Sequence, residues 1–132
     1  MTRPRPEPTE ISRPYWEGCA RHELLLQWCR ACGKPQFYPR SICVHCGSSE
    51  LEWRRASGRG VVYSFSVVHR APEATLPVPY VVALVDLDEG VRMMTNIVEC
   101  PPEEVRVGQG VEVTFDDLGE GASVPVFRPR TG

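Results

Sequence analysis

The chain has 132 residues, 42% of them hydrophobic, and a net charge of −2 at pH 7. This length allows one ordinary domain or two very small ones, and no apolar run approaches the roughly 20 residues of a membrane-spanning helix, which predicts a soluble protein. Residues 1–59 carry ten Lys or Arg against six Asp or Glu, and residues 60–132 carry five against eleven. Neither half has the basic surplus of a protein that binds the phosphate backbone of nucleic acid.

A short helix is predicted near the start of the chain, over Pro14–Arg21. Ser12 and Pro14 mark its beginning, because serine is favoured before a helix and proline in its first turn. The helix contains Tyr15 and Trp16, two aromatic residues where so short a helix needs fewer for its own packing. They either pack on the segment that follows or form a partner-docking surface, since Trp and Tyr are favoured anchors of protein interfaces.

Two Cys-x-x-Cys motifs, each followed by glycine, dominate the next segment. They place Cys29 and Cys32 in the first motif and Cys43 and Cys46 in the second. Four thiolates at this spacing can converge on one tetrahedral Zn²⁺, and glycine permits the sharp turn that aims backbone amides at sulfur. The pattern predicts a structural zinc ribbon. A closed four-sulfur site leaves no position for water or substrate, so the metal is expected to do no chemistry.

Disulfides and a redox-active Cys-x-x-Cys are the alternatives for these cysteines. No apolar N-terminal segment directs the chain to an oxidising compartment, and a thioredoxin-type motif would open a helix after a buried strand. Free thiols with metal ligands therefore indicate a cytoplasmic protein. His45, inside the second motif, is interpreted as a solvated loop residue, and Cys19 and Cys100 are interpreted as small hydrophobic residues.

Seven short strands are predicted. Two lie beside the cysteine motifs, at residues 24–28 and 36–38, and the ribbon is expected to end at residues 51–53. After Gly60 the hydrophobic period becomes two, which predicts five further strands at 61–68, 80–88, 91–98, 111–115 and 124–127. Five strands with a long third connection suit a small closed barrel, an OB fold, with an open sandwich as the alternative.

The predicted fold class is mainly β and has three parts. Residues 1–11 form a flexible arm, because proline alternates there with polar residues that cannot build a helix or a core. Residues 12–57 contain the helix and the zinc ribbon. Residues 58–130 form the five-stranded OB-fold domain, after a glycine-rich joint at 58–60.

These motifs resemble the DUF35 family, described as acyl-CoA-associated zinc-ribbon/OB-fold proteins. The likeness covers roughly residues 11–130 and follows the order of the family. It rests on PYWEG at 14–18, LLLQ at 24–27, both cysteine motifs, GRGVVYSF at 58–65, VHRAP at 68–72, and VEV at 111–113 with Phe127. The resemblance implies an N-terminal helix, a rubredoxin-like zinc ribbon and a C-terminal OB barrel.

The resemblance also implies a function. Several family members are small partners of thiolase-superfamily enzymes, and in archaeal assemblies one bridges a thiolase and a synthase and helps to hold coenzyme A. In actinobacterial steroid degradation, similar domains partner lipid-transfer-protein-like aldolases and are often fused to a MaoC-like hydratase subunit. This chain is therefore expected to be a non-catalytic subunit, in a hetero-oligomer with a thiolase or thiolase-like aldolase that cleaves a carbon–carbon bond of a steroid side-chain or other acyl-CoA.

The sequence offers no catalytic set of its own, since it contains no Ser/His/Asp order and no paired-carboxylate spacing. His69 and Arg70 open a proline-rich loop at the end of a barrel strand, and Tyr80 begins the next strand. These three residues are candidates for contacts with coenzyme A or the partner. Arg70 could meet a phosphate or a carboxylate, and its alternative is ordinary solvation.

Two other functions are weighed against this one. The first is nucleic-acid binding, which needs a basic groove and aromatic platforms on the middle barrel strands. Apart from Tyr80, the strands YVVALVDLD and VRMMTNIVE offer mainly aliphatic and acidic residues. The second is an independent acyl-CoA enzyme, which turnover by the isolated chain would reveal.

Overall fold

The structure is a computed structural model that describes residues 9–69, 79–119 and 121–130. Arg70 and most of the predicted arm lie outside these ranges. The elements follow in chain order: α1 (Arg13–Ala20), β1 (Leu25–Cys29), β2 (Pro35–Gln36), β3 (Leu51–Arg55), β4 (Arg59–Val68), β5 (Tyr80–Leu87), β6 (Arg92–Ile97), β7 (Gly110–Gly119) and β8 (Ala122–Pro129). A turn of 3₁₀ helix at Pro102–Glu104 precedes β7.

The first three strands form an antiparallel sheet in the order β2-β1-β3, which with the cysteine loops is called the ribbon below. The predicted strand at 36–38 is wrong beyond Gln36. Phe37 and Tyr38 leave the sheet before Pro39 and turn towards Tyr15 of α1, with ring centroids 5.6 and 6.1 Å from that ring. Aromatic packing on the helix thus replaces a sheet ladder at these two residues.

The last five strands close into a barrel in the order β4-β5-β6-β8-β7. Every neighbouring pair is antiparallel except β6 and β8, which meet in parallel where Ile97 pairs with Phe127. Along β5 every second residue is buried, as the period of two predicts. The closed barrel confirms the predicted OB fold and excludes the open sandwich.

A single apolar core joins the N-terminal elements to the barrel. Tyr15 and Cys19 of α1 are buried in the same cluster as Leu24 and Leu26, which precede and begin the ribbon, and as the barrel residues around Phe127. The helix packs on β8 and on β1, so its apolar face lies between the two sheets.

The helix α1 is short, and side chains hold the chain at both of its ends. Thr9 and Ser12 exchange hydrogen bonds before its first turn, at 2.9 and 3.1 Å. After its last turn, His22 stacks on Phe115 of β7 and shares a 2.8 Å hydrogen bond with Asp117. In the described ranges no helix has the length and apolar character needed to cross a bilayer, α1 having eight residues.

Candidate functional site

The four predicted metal ligands lie together at one end of the ribbon. The sulfur atoms of Cys29, Cys32, Cys43 and Cys46 are all within 4.8 Å of one another. The distance is 3.6 Å between Cys29 and Cys46 and 3.7 Å between Cys32 and Cys43. A tetrahedral ion with metal–sulfur bonds of about 2.3 Å requires sulfur–sulfur edges of about 3.8 Å. The four cysteines therefore fit one tetrahedral metal ion and form a metal site.

Two matching turns present these sulfur atoms, and we call them knuckle 1 (residues 29–33) and knuckle 2 (residues 43–47). In each, the glycine N–H donates to the carbonyl of the first cysteine, at 2.8 and 2.9 Å. Gly33 and Gly47 have φ of +76° and +80°, the left-handed region that glycine enters without steric cost. The turns also aim N–H groups at sulfur, at 3.4 Å from Cys32 to Cys29.

Hydrogen bonds to sulfur shift the acidity of the thiols in opposite directions. The pKa of Cys29 is lowered, chiefly because the N–H of Cys32 donates to its sulfur. Desolvation raises the pKa of Cys43, but backbone N–H groups, that of His45 first, outweigh it and lower the value to about 6. A backbone N–H lowers the pKa of Cys46, yet neighbouring sulfur atoms outweigh it and raise the value to about 12. Four thiolates therefore repel one another unless a cation lies between them.

The alternatives for the cysteines do not fit this geometry. A disulfide needs a sulfur–sulfur distance near 2.05 Å, and all six cysteines are free thiols. Knuckle 1 follows a strand but leads into β2 instead of opening a helix, as a thioredoxin-type motif would. His45 is exposed, its Nε2 lies 3.2 Å from the carbonyl oxygen of Pro35, and it is not part of the sulfur cluster.

A groove of about 450 Å³ lies where α1, the segment after β2 and the barrel meet. Trp16 contributes from α1, Tyr38 from the segment after β2, Met94 and Asn96 from β6, and Pro125 from β8. Tyr38 is 43% and Met94 69% exposed, so both present a large side chain to solvent in this groove. The aromatic groove, as we call it, is thus an open, mainly apolar surface with amide and hydroxyl groups at its edge.

The two aromatic residues of the helix have different surroundings. Tyr15 is 2% exposed and packs on the ribbon segment and the shared core, as the first of the two sequence interpretations describes. Trp16 is half-buried and meets the Tyr15 ring edge-on at 4.8 Å. Only Trp16 therefore offers substantial surface to a partner, and Tyr15 supports its ring from beneath.

Two of the three candidates for coenzyme A contact, His69 and Tyr80, lie at the end of the barrel where β4 stops and β5 begins. His69 is exposed directly after β4, and Tyr80 is half-buried where it pairs with Val68. Neither residue lines the aromatic groove. Arg70 lies outside the described residues, so its relation to the other two is a prediction.

The outward face of the middle barrel strands has little free positive charge in the described part of the chain. Arg92 of β6 donates to both carboxylate oxygens of Asp86, at 2.6 and 3.3 Å, and its guanidinium lies 3.5 Å over the Tyr63 ring. A cation already paired with a carboxylate contributes little to phosphate binding. This face gives no support to the nucleic-acid alternative.

Comparisons with known proteins agree with this fold and this cysteine cluster. Residues 16–52 match the family model for the rubredoxin-like zinc ribbon domain of ChsH2, and residues 53–116 match that for its C-terminal OB-fold domain. The fold and the sulfur cluster thus define a zinc-ribbon/OB-fold protein. A DUF35 domain-containing scaffold protein of Methanocaldococcus jannaschii is 43% identical over 102 residues, which are 76% of this chain and 72% of that protein. The chain belongs to the DUF35 family.

Other relatives carry enzyme-subunit names. A probable enoyl-CoA hydratase alpha subunit of Thermomonospora curvata is 37% identical over 127 residues, 96% of this chain and 40% of that protein, so the chain spans less than half of its length. The benzoylsuccinyl-CoA thiolase subunit BbsA of Geobacter metallireducens is 36% identical over 90 residues, 68% of this chain and 60% of that subunit. A solved structure described as an Ltp2-ChsH2(DUF35) aldolase contains a chain of 36% identity with a TM-score of 0.87, covering 95% of this chain and 98% of that one.

Sequence reasoning missed two groups of residues near these sites. Tyr38 was assigned to a strand and Met94 to an ordinary barrel position, so the groove that they form was not foreseen. Gln27 and Gln36 are predicted as strand residues, but the burial of their side chains is not predicted. Knuckle 1 is the signal that could have indicated their pairing, because a hairpin centred between residues 29 and 34 brings these two glutamines opposite each other.

Proposed function

We propose that this chain is a non-catalytic partner subunit of a thiolase-like enzyme that acts on an acyl-CoA. The observation that carries the proposal is the match over nearly the whole chain to a DUF35 chain of an aldolase, at 36% identity and a TM-score of 0.87. The thiolase-subunit relative supports the same class of partner. The closed four-sulfur site agrees with a structural role, because it leaves no coordination position for substrate.

The proposed metal is Zn²⁺. It suits four thiolates in tetrahedral geometry, and when bound it supplies charge compensation and a cross-link between the two knuckles. In this proposal Cys29, Cys32, Cys43 and Cys46 hold the ion, and the reaction takes place on the partner. The catalytic subunit supplies the acid, the base and the oxyanion donors.

The aromatic groove is the proposed docking surface for that subunit. Trp16 and Tyr38 offer rigid amphipathic rings, and Met94 offers a flexible apolar side chain that adapts to its partner. The Tyr15 ring beneath Trp16 fixes its orientation, which lowers the entropy lost on binding.

His69, Arg70 and Tyr80 are proposed to border the path of the coenzyme A arm. His69 and Arg70 are adjacent in the chain, Tyr80 pairs with Val68, the residue before His69, and an arginine next to such a site suits a phosphate group. A steroid side-chain thioester is the proposed substrate of the complex, cleaved by a retro-aldol reaction. A hydratase subunit is a further proposed partner, since a relative 37% identical to this chain is named as one. The proposed location is the cytoplasm.

Co-expression with a thiolase-like protein from a neighbouring gene tests the proposal. The two chains are expected to elute together on gel filtration, and Met94→Glu is expected to weaken the complex at least tenfold, because a charge in the groove must be desolvated on docking. Val107→Glu is the matched control, since Val107 is 67% exposed, against 69% for Met94, and lies outside the groove.

Two results would contradict this function. The wild-type chains could elute separately at micromolar concentration. Alternatively, the isolated metal-loaded chain could turn over short acyl-CoA or sterol-CoA thioesters without any partner, which would make it an enzyme in its own right.

A further inference from the structure

Two buried glutamines face each other across the hairpin of knuckle 1. Gln27 of β1 is 5% and Gln36 of β2 is 3% exposed, and the two are directly paired in the sheet. The amide nitrogen of Gln36 donates to the side-chain oxygen of Gln27 at 2.8 Å. Buried uncharged polar side chains of this length are uncommon, and each needs several hydrogen-bond partners.

The remaining hydrogen bonds of the pair go to residues 40–44, which lead into knuckle 2 and begin it. Gln27 donates to the carbonyl of Arg40 at 2.9 Å and accepts from its N–H at 2.8 Å. Gln36 donates to the carbonyl of Ile42 at 3.2 Å and accepts from the N–H of Val44 at 2.9 Å. Residues 37–42 belong to no strand or helix, so side chains supply the partners that a sheet would otherwise give to this backbone.

The contacts of Gln36 have a particular consequence for the metal site. Ile42 and Val44 are the two chain neighbours of Cys43, which is buried and is one of the four ligands. One amide group therefore holds the backbone on both sides of this cysteine. The position of the Cys43 sulfur depends on the backbone of residues 42–45, because the sulfur accepts a 3.3 Å hydrogen bond from the N–H of His45.

We propose that Gln36 is a positioning residue for the metal ligand Cys43, and that Gln27 supports it by orienting its amide. The pair joins the strands of knuckle 1 to the backbone of knuckle 2, so the two halves of the site are aligned before the metal binds. Groups that orient metal ligands raise metal affinity by about 10–100-fold. This role is independent of any enzyme partner.

The two glutamines form a matched pair for its test. Each makes three hydrogen bonds and each is almost fully buried, so Gln27→Met and Gln36→Met are expected to destabilise the fold to a similar degree. Only Gln36 holds the neighbours of Cys43. Gln36→Met is therefore expected to weaken metal binding about 10–100-fold, and Gln27→Met by clearly less.

The measurement uses the full chain with Zn²⁺ and with Co²⁺. Competition with a chromophoric chelator gives the Zn²⁺ affinity, and the charge-transfer and d–d absorption bands of Co²⁺ report the geometry of the four-sulfur site. Gln36→Met is expected to shift or broaden these bands, and Gln27→Met to leave them closer to wild type. Gln109→Met is the control, since Gln109 accepts a backbone hydrogen bond far along the chain, from Arg106.

Gln36→Asn guards against a variant that does not fold. It keeps an amide donor and acceptor on a side chain one methylene shorter, and it is expected to retain part of the affinity that Gln36→Met loses. Equal losses of affinity for the two methionine variants with unchanged Co²⁺ bands would reduce the pair to a folding role and overturn the proposal. So would wild-type affinity in Gln36→Met.

Discussion

The ribbon pairs strands of five, two and five residues, whereas the barrel pairs strands of six to ten residues around a continuous apolar core. The three ribbon strands together bury two apolar residues, Leu26 and Cys29, whereas β5 alone buries four. So little apolar burial cannot offset the conformational entropy of ordering the ribbon, and the metal supplies the difference. The comparison shows that one chain of 132 residues uses two different sources of stability.

The two regions nevertheless share a seam. Tyr15, Cys19, Leu24 and Leu26 belong to the barrel core, although they lie in or before the ribbon. The start of β1 therefore rests on the barrel, while its other end leads to the metal site. Loss of the metal should release the knuckle end of the ribbon first and leave the seam in place.

The largest expected effect is that of metal removal. Structural zinc sites bind with apparent free energies of about 10–16 kcal/mol in isolated zinc fingers, and chelation should therefore melt the ribbon but not the barrel. Thiol titration with a chromogenic reagent measures this. Chelation is expected to add four reactive thiols, while Cys19 stays unreactive because it is fully buried and burial raises its pKa to about 12.

The same titration also tests whether the ribbon and the barrel unfold separately. If Cys19 became reactive together with the four ligands, ribbon and barrel would unfold as one cooperative unit. Cys100→Ser serves as the control, because it removes the half-buried thiol outside both groups and leaves the increment of four unchanged.

A barrel mutation should give the next largest effect. Phe127 is fully buried where β8 meets both β6 and β7, and Phe127→Ala is expected to lower the free energy of unfolding by about 3–5 kcal/mol because it leaves a cavity. Urea denaturation measures the loss. The exposed control Val107→Ala should stay within about 0.5 kcal/mol of wild type.

This mutation also sharpens the comparison. Below the denaturation midpoint, the Co²⁺ absorption bands of Phe127→Ala should equal those of wild type, since the sulfur cluster is held by the knuckles and the ribbon. Altered bands in the folded variant would mean that the barrel core itself shapes the metal site.

The smallest expected effect concerns the link between the helix end and the barrel. The hydroxyl of Ser123 and the ring of His22 hold the pKa of Asp117 below its usual range. The folded pKa is depressed, so the stabilising contribution is present above the unfolded value of about 3.9 and is lost as pH falls through the folded value. Asp117→Asn should therefore lower the melting temperature slightly at pH 7, and this deficit should shrink as the pH falls below about 4.

Thermal melts of Asp117→Asn at pH 7 and at several values below about 4 provide the test. Asp88→Asn, in the exposed turn between β5 and β6, is the control, and its difference from wild type should not follow the same pH dependence. An Asp117→Asn deficit that persisted unchanged down to the lowest pH at which the chain stays folded would show that shape and not charge accounts for this contact.

Local patterns were enough to predict the metal site and most of the barrel. The spacing of Cys29, Cys32, Cys43 and Cys46 places two ligands in each turn, and a turn is determined by a few neighbouring residues. In β5 and β6 every second residue is buried over the whole strand, so the period of two predicts these strands directly. The prediction of a strand at 36–38 is wrong beyond Gln36 because Phe37 and Tyr38 pack on Tyr15, about twenty residues earlier in the chain, and a local pattern does not show such a contact.

By itself, the sequence determined the metal ligands, the barrel strands and the family, because each depends on residues close together in the chain or on a repeated period. Tertiary structure alone decided the rest. It buried Tyr15, exposed Met94 beside Trp16 in one groove, and placed the Gln36 amide against both chain neighbours of Cys43. These arrangements join residues from separate elements, and only the packing of α1 and the ribbon on the closed barrel brings such residues within contact distance.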